Sequence, residues 1–354
     1  MRKTLVTILI LAFLALMQNF PAAAIENGES ALGNQFVVPI AIQISSNPDS
    51  WISCSGALVT PNVVATAGHC VLDSSGLVSK QILVGPPGSQ LSVTESWAKA
   101  IQTYTDENYR GPGINGLLTS SDIAFLVIDK TFTQNTKIHF ASENSLNALK
   151  ISSARLRIIG YGITSDAGAP NLDPHYLDST FQNESSSDPN QSFAVSSKGG
   201  ICKGDSGGPV LSITPTRVTL LGIVLGSRNL GVKCAGRDSS GQYSTTFTAI
   251  NRYANLTVEA MTDAFSNLQV SVNDSKKNSD ETINLRERVD SLEQQVSELQ
   301  SSFENANQET IRLKAIVSAF TRAGYKSLVC TNKVSTKTVV GKTPVCPKGF
   351  KIEK

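Results

Sequence analysis

The sequence predicts a mainly β protein in which the strands are followed by a helix and then by a coiled coil. Short runs rich in Val, Ile and Leu alternate with Gly, Pro, Asn and Ser over residues 36–247, which is typical of an antiparallel sandwich or barrel. Apolar residues recur with a helical period over 249–268, and alternately four and three apart over 282–323. We therefore expect a β domain, a closing helix and an elongated appendage, in that order.

The first 24 residues have the pattern of a secretory signal. Arg2 and Lys3 precede an apolar run over 5–17, and three alanines follow at 22–24. The run is shorter than the roughly 20 residues that cross a bilayer, and no later segment approaches that length. We expect removal of the signal to leave a secreted protein, extracellular or attached to the cell surface, without a transmembrane segment.

The next region, 25–268, is long enough for one domain of ordinary enzyme size. A helix over 249–268 would close this domain, because its apolar residues fall on one face. The clearest strand candidates are apolar segments bounded by turn residues. These candidates are 37–44, 56–60, 123–128, 156–161 and 218–225.

A polar linker is predicted over 269–281 and a coiled coil over 282–323. The seam repeats for about five heptads and ends before Gly324, a residue type that breaks helices. Such a seam favours a homo-oligomer, and a single amphipathic helix lying on the β domain is the alternative. The a and d positions are Leu285, Val289, Leu292, Val296, Leu299, Phe303, Ala306, Thr310, Leu313, Val317 and Phe320.

The tail, 328–354, contains six lysines and one glutamate. Cys330 and Cys346 enclose a β-branched segment, so a small disulfide-stapled hairpin is predicted, because so short a piece cannot hold a core alone. The lysines would bind an anionic cell-surface polymer or, in the alternative interpretation, form a solvated face.

Charge and cysteine content narrow the function classes. The net charge of +2 gives no electrostatic signature of a nucleic-acid-binding protein, so no nucleic-acid partner is expected. Six cysteines in an exported chain favour disulfides over metal sites, and the absence of a CxxC pair leaves no expected metal or other cofactor. Six cysteines allow fifteen pairings, of which their positions favour Cys54–Cys70, Cys202–Cys234 and Cys330–Cys346.

Three short motifs carry the candidate chemistry. Ser206 lies in CKGDSGGP (202–209), His69 in TAGHC (66–70) and Asp122 in SDIAFLV (121–127). A serine hydroxyl is a weak nucleophile at neutral pH, so it needs an imidazole base and a carboxylate that orients this base. Each motif alone has an ordinary structural interpretation, but their joint occurrence in one chain predicts catalysis.

With TAGHC, DIAFL and GDSGGP in this order, the chain resembles the chymotrypsin- and trypsin-like serine proteases, and we identify it as a secreted, bacterial member. The resemblance runs from about residue 25 to 265 and includes GYGIT, which is similar to the family's GWGxT. It implies two six-stranded antiparallel β-barrels with the active site between them. It also implies a serine endopeptidase of proteins or peptides, with Ser206 as nucleophile, His69 as general base and Asp122 as its orienting acid.

The same resemblance implies roles for neighbouring residues. The N–H groups of Gly204 and Ser206 would form the oxyanion hole, and a new N-terminal ammonium on Ile25 would pair with Asp205. We expect signal peptidase to make this activating cut after Ala24, without a separate zymogen step; cleavage at another residue is the alternative. The first two disulfides would hold the histidine loop and the nucleophile loop.

The specificity pocket is also assigned through the resemblance. Alignment through Cys202 and Ser206 places the base of the pocket at Gly200, where trypsin-like members carry Asp. An open, uncharged pocket would favour an apolar or aromatic residue before the scissile bond. The pocket residues are Gly200, Ile201, Leu225, Gly226, Ser227 and Gly241.

Two other functions compete with this one. A catalytically idle protease fold would serve as a binding protein assembled by the coiled coil, and a surface adhesin would carry the protease domain incidentally. All three triad residue types are present, which favours the enzyme. His139 and His175 lack a comparable context and are interpreted as surface or strand residues.

Overall fold

A computed structural model describes most of the β domain and part of the C-terminal region. The predicted signal segment, 1–24, and most of the predicted coiled coil lie outside the described residues. The described residues are 25–44, 47–72, 77–109, 121–164, 172–182, 191–228, 233–274, 294, 297, 301, 326–331, 336–341, 343, 345–348 and 351–352.

Strands dominate these ranges, as predicted. The α-helices are α1 (Glu143–Ile151) and α2 (Ala254–Asp274), and short 3-10 turns occupy Gly68–Cys70 and Ile250–Tyr253. The strands are β1 (Glu29–Ser30), β2 (Val37–Ile44), β3 (Asn47–Thr60), β4 (Val63–Thr66), β5 (Ile82–Val84), β6 (Ala98–Thr105), β7 (Ala124–Ile128), β8 (Ile138–Phe140), β9 (Arg155–Gly160), β10 (His175–Phe181), β11 (Gln191–Ser196), β12 (Pro209–Thr214), β13 (Arg217–Gly226), β14 (Tyr243–Ala249), β15 (Lys326–Thr331), β16 (Thr336–Gly341) and β17 (Lys351–Ile352).

The first barrel is closed by six antiparallel strands in the order β2, β3, β4, β7, β6 and β5. Alternate residues of these strands point inward, so Ile40, Leu58, Val64 and Leu126 meet in one fully buried core. All five side chains of β7 are buried, because one face of this strand fills the barrel and the other is covered by the rest of the domain.

The second barrel is a ring of β9, β10, β11, β14, β13 and β12, closed where β12 pairs with β9. Strand β1 adds to β10, and β8 runs parallel to β13 outside the ring. In the core the rings of Phe181 and Phe247 lie 5.5 Å apart in a tilted arrangement. The prediction of two six-stranded antiparallel barrels is confirmed.

Each end of the β domain packs on the barrel that is more distant from it in the sequence. At the start of the chain, β1 pairs with β10 of the second barrel, and the Glu26 N–H donates to the Gly200 carbonyl at 2.9 Å. At the other end, α2 leaves the second barrel and packs on the first, where Gln102 (3.2 Å) and the Tyr104 hydroxyl both donate to Asp263. Each barrel therefore binds a segment that the sequence places next to the other.

The boundary of the closing helix differs from the prediction. The segment starts with a 3-10 turn at Ile250–Tyr253, and α2 continues to Asp274 rather than ending at 268. The linker predicted over 269–281 therefore begins inside the helix. The prediction ended the helix where its apolar face ended, but polar residues can continue a helix that is already nucleated, because propagation needs no core.

A second unit lies at the C-terminus. Strand β15 pairs antiparallel with β16 and with β17, so the predicted hairpin is a three-stranded sheet that begins at Lys326. Cys346 is disulfide-bonded, whereas the Cys330 side chain lies outside the described part, so that pairing stays a prediction. Within the predicted coiled coil only 294, 297 and 301 are described, each helical and exposed. None of the helices in the described ranges is long and apolar enough to cross a membrane.

Candidate active site

His69 lies in a 3-10 turn, Gly68–Cys70, that directly follows β4. A disulfide joins Cys70 of this turn to Cys54 of β3, so the turn is tied covalently to the barrel wall. The side chain of His69 is 20% exposed at the surface of the first barrel. His69, the candidate base, is therefore held in place by the disulfide while part of its ring remains accessible to solvent.

Asp122 precedes β7 and is 1% exposed. Its Oδ2 lies 2.7 Å from Nδ1 of His69, and its Oδ1 accepts the His69 backbone N–H at 2.7 Å. Burial alone would lower the pKa of His69, but the charge and hydrogen bond of Asp122 outweigh this, so the pKa of His69 is raised. When the ring is neutral, its hydrogen bond to the carboxylate selects the tautomer with the proton on Nδ1, which leaves Nε2 as a proton acceptor.

Tyr109 also contacts this pair, which sequence reasoning missed. A Cβ built on Gly68 would come within 2.8 Å of the Tyr109 ring and 3.1 Å of Asp122 Oδ1, so ring and carboxylate enclose the same glycine. Burial, the Asp122 charge and a side-chain hydrogen bond to Asp122 all raise the pKa of Tyr109. A lone tyrosine in a polar segment carries no sequence signal for this position.

Ser206 lies in the nucleophile loop, 202–208, that leads into β12 of the second barrel. Its carbonyl accepts the Ser55 N–H at 2.9 Å and lies 3.7 Å from Cys70 Sγ, so the loop rests against the turn that carries His69. The hydroxyl of Ser206 donates to the Leu225 carbonyl at 3.5 Å. Among the described residues, no hydrogen bond joins the Ser206 hydroxyl to the His69 ring.

Two backbone N–H groups of the nucleophile loop have no acceptor in the described part of the chain. The N–H groups of Lys203, Asp205 and Gly207 donate to carbonyls at 2.8, 3.1 and 2.8 Å, whereas those of Gly204 and Ser206 bond to nothing within the described residues. Gly204 has a φ of 99°, a conformation that residues with a Cβ rarely adopt. Two unpaired N–H groups in one tight loop are suited to bind an oxyanion, which is the role expected of them from the sequence.

Asp205 belongs to the nucleophile loop, and its side chain is fully buried. Its two carboxylate oxygens accept the N–H groups of Gly162 and Cys202, both at 2.7 Å. Burial nevertheless raises the pKa of Asp205 to about 7, because no cation contacts it within the described part of the chain. A buried carboxylate in this state calls for a positive partner.

Ile25 is fully buried in the core of the second barrel. Its φ is 60°, in the left-handed region that strains a β-branched residue. The following residue, Glu26, packs so closely on Gly199 that a Cβ there would lie 1.7 Å from the Glu26 carbonyl oxygen. Ile25, the first described residue, is therefore buried in the second barrel rather than lying on its surface.

The second disulfide, Cys202–Cys234, joins the nucleophile loop to the segment that follows β13. On either side of it the Lys203 N–H donates to Lys233 (2.8 Å) and the Ala235 N–H to Ile201 (2.7 Å). These two backbone hydrogen bonds flank the disulfide, so the nucleophile loop is held to the segment around Cys234 by three connections.

The proposed pocket residues lie in three segments of the second barrel, 200–201, 225–227 and 241, and the structure places Ala235 and Tyr243 beside them. A Cβ on Gly200 would come within 2.8 Å of both Ala235 and Tyr243, which close the space there. Charges were not expected nearby, but Glu26 accepts the Tyr243 hydroxyl at 3.2 Å, and the Arg237 guanidinium lies 4.6 Å from the Tyr243 ring centre.

The other pocket residues differ in their exposure. Leu225 is 1% exposed and Ile201 is 5% exposed, and the Ser227 hydroxyl lies 3.3 Å from Ser244. Gly226 ends β13, and Gly241, with a φ of 78°, ends a turn in open space. Apolar and small neutral residues thus predominate at the predicted positions.

In the described part of the chain, the other two histidines lie in strands, and the cluster with metal-ligand spacing contains a disulfide. His139 and His175 lie in β8 and β10, and the His175 ring lies 3.1 Å from the Asp173 carbonyl in a buried position that lowers its pKa. Cys54, His69 and Cys70 are close enough to hold a metal ion, but both sulfurs are committed to a disulfide.

Comparison with known proteins gives a consistent assignment. Residues 25–256 match the family model described as Trypsin. The chain is similar to lectizyme of Glossina austeni, with 25% identity over 221 residues, 58% of this chain and 77% of the relative. It is similar to chymotrypsin-like elastase family member 1 of Rattus norvegicus, with 25% identity over 250 residues, 67% of this chain and 90% of the relative. It is also similar to trypsin delta of Drosophila melanogaster, with 28% identity over 213 residues, 57% of this chain and 78% of the relative.

Among solved structures, the chain is similar to HL collagenase. The TM-score is 0.52 at 18% sequence identity, covering 66% of this chain and 97% of that one. At this identity the likeness indicates a common fold, which agrees with the two barrels described above.

Proposed function

The chain belongs to the trypsin family and is a serine-type endopeptidase acting on proteins or peptides, and we propose that His69, Asp122 and Ser206 are its catalytic triad. The observation that carries this proposal is the 2.7 Å contact between Nδ1 of His69 and the buried Asp122, beside the loop that holds Ser206.

In the proposed reaction, Ser206 Oγ attacks the scissile carbonyl carbon while Nε2 of His69 takes the hydroxyl proton. The N–H groups of Gly204 and Ser206 receive the oxyanion that forms. His69 then gives its proton to the leaving amine as the C–N bond breaks, which leaves an acyl-enzyme on Ser206. Water, deprotonated by His69, attacks the acyl carbon, and His69 returns the proton to Ser206 Oγ as the ester C–O bond breaks, which releases the acid product and restores the enzyme. Because His69 must begin neutral, the rate should fall as pH drops through its raised pKa.

Fluorophosphonate labelling tests the nucleophile. A fluorophosphonate loses fluoride to an activated serine and remains bound to its oxygen, so the mature protein should be labelled and Ser206→Ala should not. Ser212→Ala, which removes a serine of the nearby strand β12, should be labelled like the native protein. Absence of labelling in the mature native protein would instead support the idle protease fold as a binding protein.

We also propose that the pocket at Gly200 prefers an apolar or aromatic residue before the scissile bond. The predicted positions are apolar or small, which supports this, although Glu26 and Arg237 lie beside Tyr243 at the pocket base. Peptide substrates that differ only at this residue should be cleaved with a higher kcat/KM for Phe or Leu than for Arg or Lys. The opposite order would show that the charge of Glu26 reaches the pocket.

Activation is proposed to occur when signal peptidase cuts after Ala24. The φ of 60° at Ile25 costs about 1–3 kcal/mol while the peptide bond to Ala24 exists. Cleavage removes the preceding carbonyl and with it this torsion, and it creates an ammonium on Ile25. Asp205, buried without a cation among the described residues, is the proposed partner of that ammonium. Cleavage would thus relieve two costs at once.

The disulfides are consistent with an extracellular protein, and we propose that the chain is exported through its 1–24 signal. The predicted coiled coil, 282–323, is proposed to join copies of the chain, and the Lys-rich tail to contact an anionic surface polymer. Light scattering should then give a mass above that of the monomer, and deletion of 328–354 should reduce cell association.

A further inference from the structure

Ser55 is a fully buried serine of β3 in the first barrel, one residue after Cys54. Its hydroxyl donates to the Gly204 carbonyl at 2.8 Å and accepts the Tyr161 N–H at 2.9 Å. Its own N–H donates to the Ser206 carbonyl at 2.9 Å. One residue of the first barrel therefore binds two residues of the nucleophile loop in the second.

The two carbonyls that Ser55 binds belong to the same residues whose N–H groups are unpaired. Gly204 and Ser206 each present an N–H to the proposed oxyanion hole, and each is held through its C=O by Ser55. A third contact fixes the peptide before Gly204, where the Lys203 carbonyl accepts the Ile163 N–H at 2.9 Å. Fixing these carbonyls restricts the backbone torsions that aim the two N–H groups.

The surroundings of Ser55 leave little freedom for another arrangement. Its carbonyl accepts the Thr66 hydroxyl at 2.8 Å, and a Cβ on Gly207 would lie 2.2 Å from that carbonyl. The nucleophile loop thus packs directly on Ser55, with every polar group of this residue bonded. A buried residue whose polar groups are all hydrogen-bonded holds its partners in a more defined orientation than an apolar contact would.

We propose that Ser55 is a positioning residue that sets the direction of the oxyanion-hole N–H groups from across the barrel interface. The inference rests on the proposed function of the nucleophile loop. Ser55 touches no substrate and acts only through Gly204 and Ser206. An oxyanion hole stabilises the transition state through donors that are oriented before charge develops. Loss of the Ser55 contacts should therefore weaken binding of the transition state more than binding of the substrate.

Ser55→Ala tests the proposal. Removing the hydroxyl frees the Gly204 carbonyl, and we expect kcat to fall about tenfold with KM within about twofold, since a displaced donor costs less than a deleted one. The affinity for a peptidyl boronate, which becomes tetrahedral on Ser206, should fall by a similar factor. The affinity for the matching non-reactive peptide should stay unchanged. Titration with this peptide also gives the concentration of folded protein in the same sample.

Ser89→Ala is the matched control, because the Ser89 hydroxyl also donates to a backbone carbonyl, Pro86, at 2.7 Å but contacts no part of the nucleophile loop. This variant should keep both kcat and boronate affinity. If Ser55→Ala does not fold, Ser55→Gly, which leaves room for a water, should show the same direction of change. A folded Ala or Gly variant with native kcat and boronate affinity would overturn the proposal. Failure of the native protein to bind the boronate would instead overturn the proposed function.

Discussion

Asp122→Asn is expected to lower kcat by about four orders of magnitude while KM stays within about twofold. Both oxygens of Asp122 accept hydrogen bonds from His69, one from Nδ1 and one from the backbone N–H. Asparagine has one acceptor oxygen, and its NH₂ group would face one of these donors. The ring would relieve this clash by moving its proton to Nε2, where it can no longer accept the Ser206 proton.

A 10⁴-fold loss corresponds to about 5.5 kcal/mol of transition-state stabilisation at about 1.4 kcal/mol per factor of ten. Steady-state kinetics on a chromogenic peptide would measure it. Asp129→Asn is the matched control, because Asp129 also accepts a backbone N–H, that of Lys99 at 2.7 Å, at an exposed site of the same barrel. The control should remain within about twofold of the native kcat. A comparably small loss in Asp122→Asn would remove this residue from the triad.

Asp205→Asn is expected to lower kcat/KM by about a thousandfold although it leaves the triad intact. The carboxylate accepts N–H groups from Gly162 and Cys202 with separate oxygens, and an amide can accept only one of them. The neutral amide would also lose the proposed ammonium of Ile25. The nucleophile loop would then no longer hold its two oxyanion donors, and losing one such donor alone costs about 10²–10³.

The control for this prediction is Asp178→Asn, the same change at a half-buried pair with Arg157 in the second barrel. Such pairs contribute little, so activity should be native. N-terminal sequencing completes the test, since the mature chain should begin at Ile25 and a form that retains Ala24 should be as inactive as Asp205→Asn. An active protein with any other first residue would contradict the activation proposal.

The pH dependence of stability gives a second readout of the same pair. Without the ammonium, burial raises the pKa of Asp205 to about 7, against 3.8 for a free side chain. The contribution of Asp205 to the free energy of unfolding is then fully present below about pH 4, where the side chain is protonated, and is lost as the pH rises through 7. The melting temperature of the form that retains Ala24 should therefore fall from pH 5 to pH 8 more than that of the mature protein.

The parts of the site that were predictable from the sequence are those encoded in short motifs. His69, Asp122 and Ser206 each lie in a distinctive local sequence, because the turns around them have strict backbone requirements, such as the positive φ of Gly204. Strand β2 was also predicted with its observed ends, 37–44, since apolar residues bounded by turn formers describe a barrel strand well.

The parts that sequence reasoning missed depend on contacts between distant residues. Ser55 reaches Gly204 across 149 positions, and nothing near Ser55 distinguishes it from an ordinary strand serine. Tyr109 becomes relevant only when the fold brings it to Asp122. The C-terminal end of α2 was misjudged for a related reason, because it depends on helix propagation beyond the apolar face rather than on burial.

The contact of each end of the domain with the other barrel couples the stability of the two barrels. Opening the second barrel releases β1 and the segment at Glu26, and opening the first releases α2, so unfolding of either barrel removes contacts that hold an end of the domain. Two modules of this kind behave as one cooperative unit, with a single unfolding transition in place of two. The contacts of Ser55 with Gly204 and Ser206, which cross from one barrel to the other, then last for as long as the domain is folded.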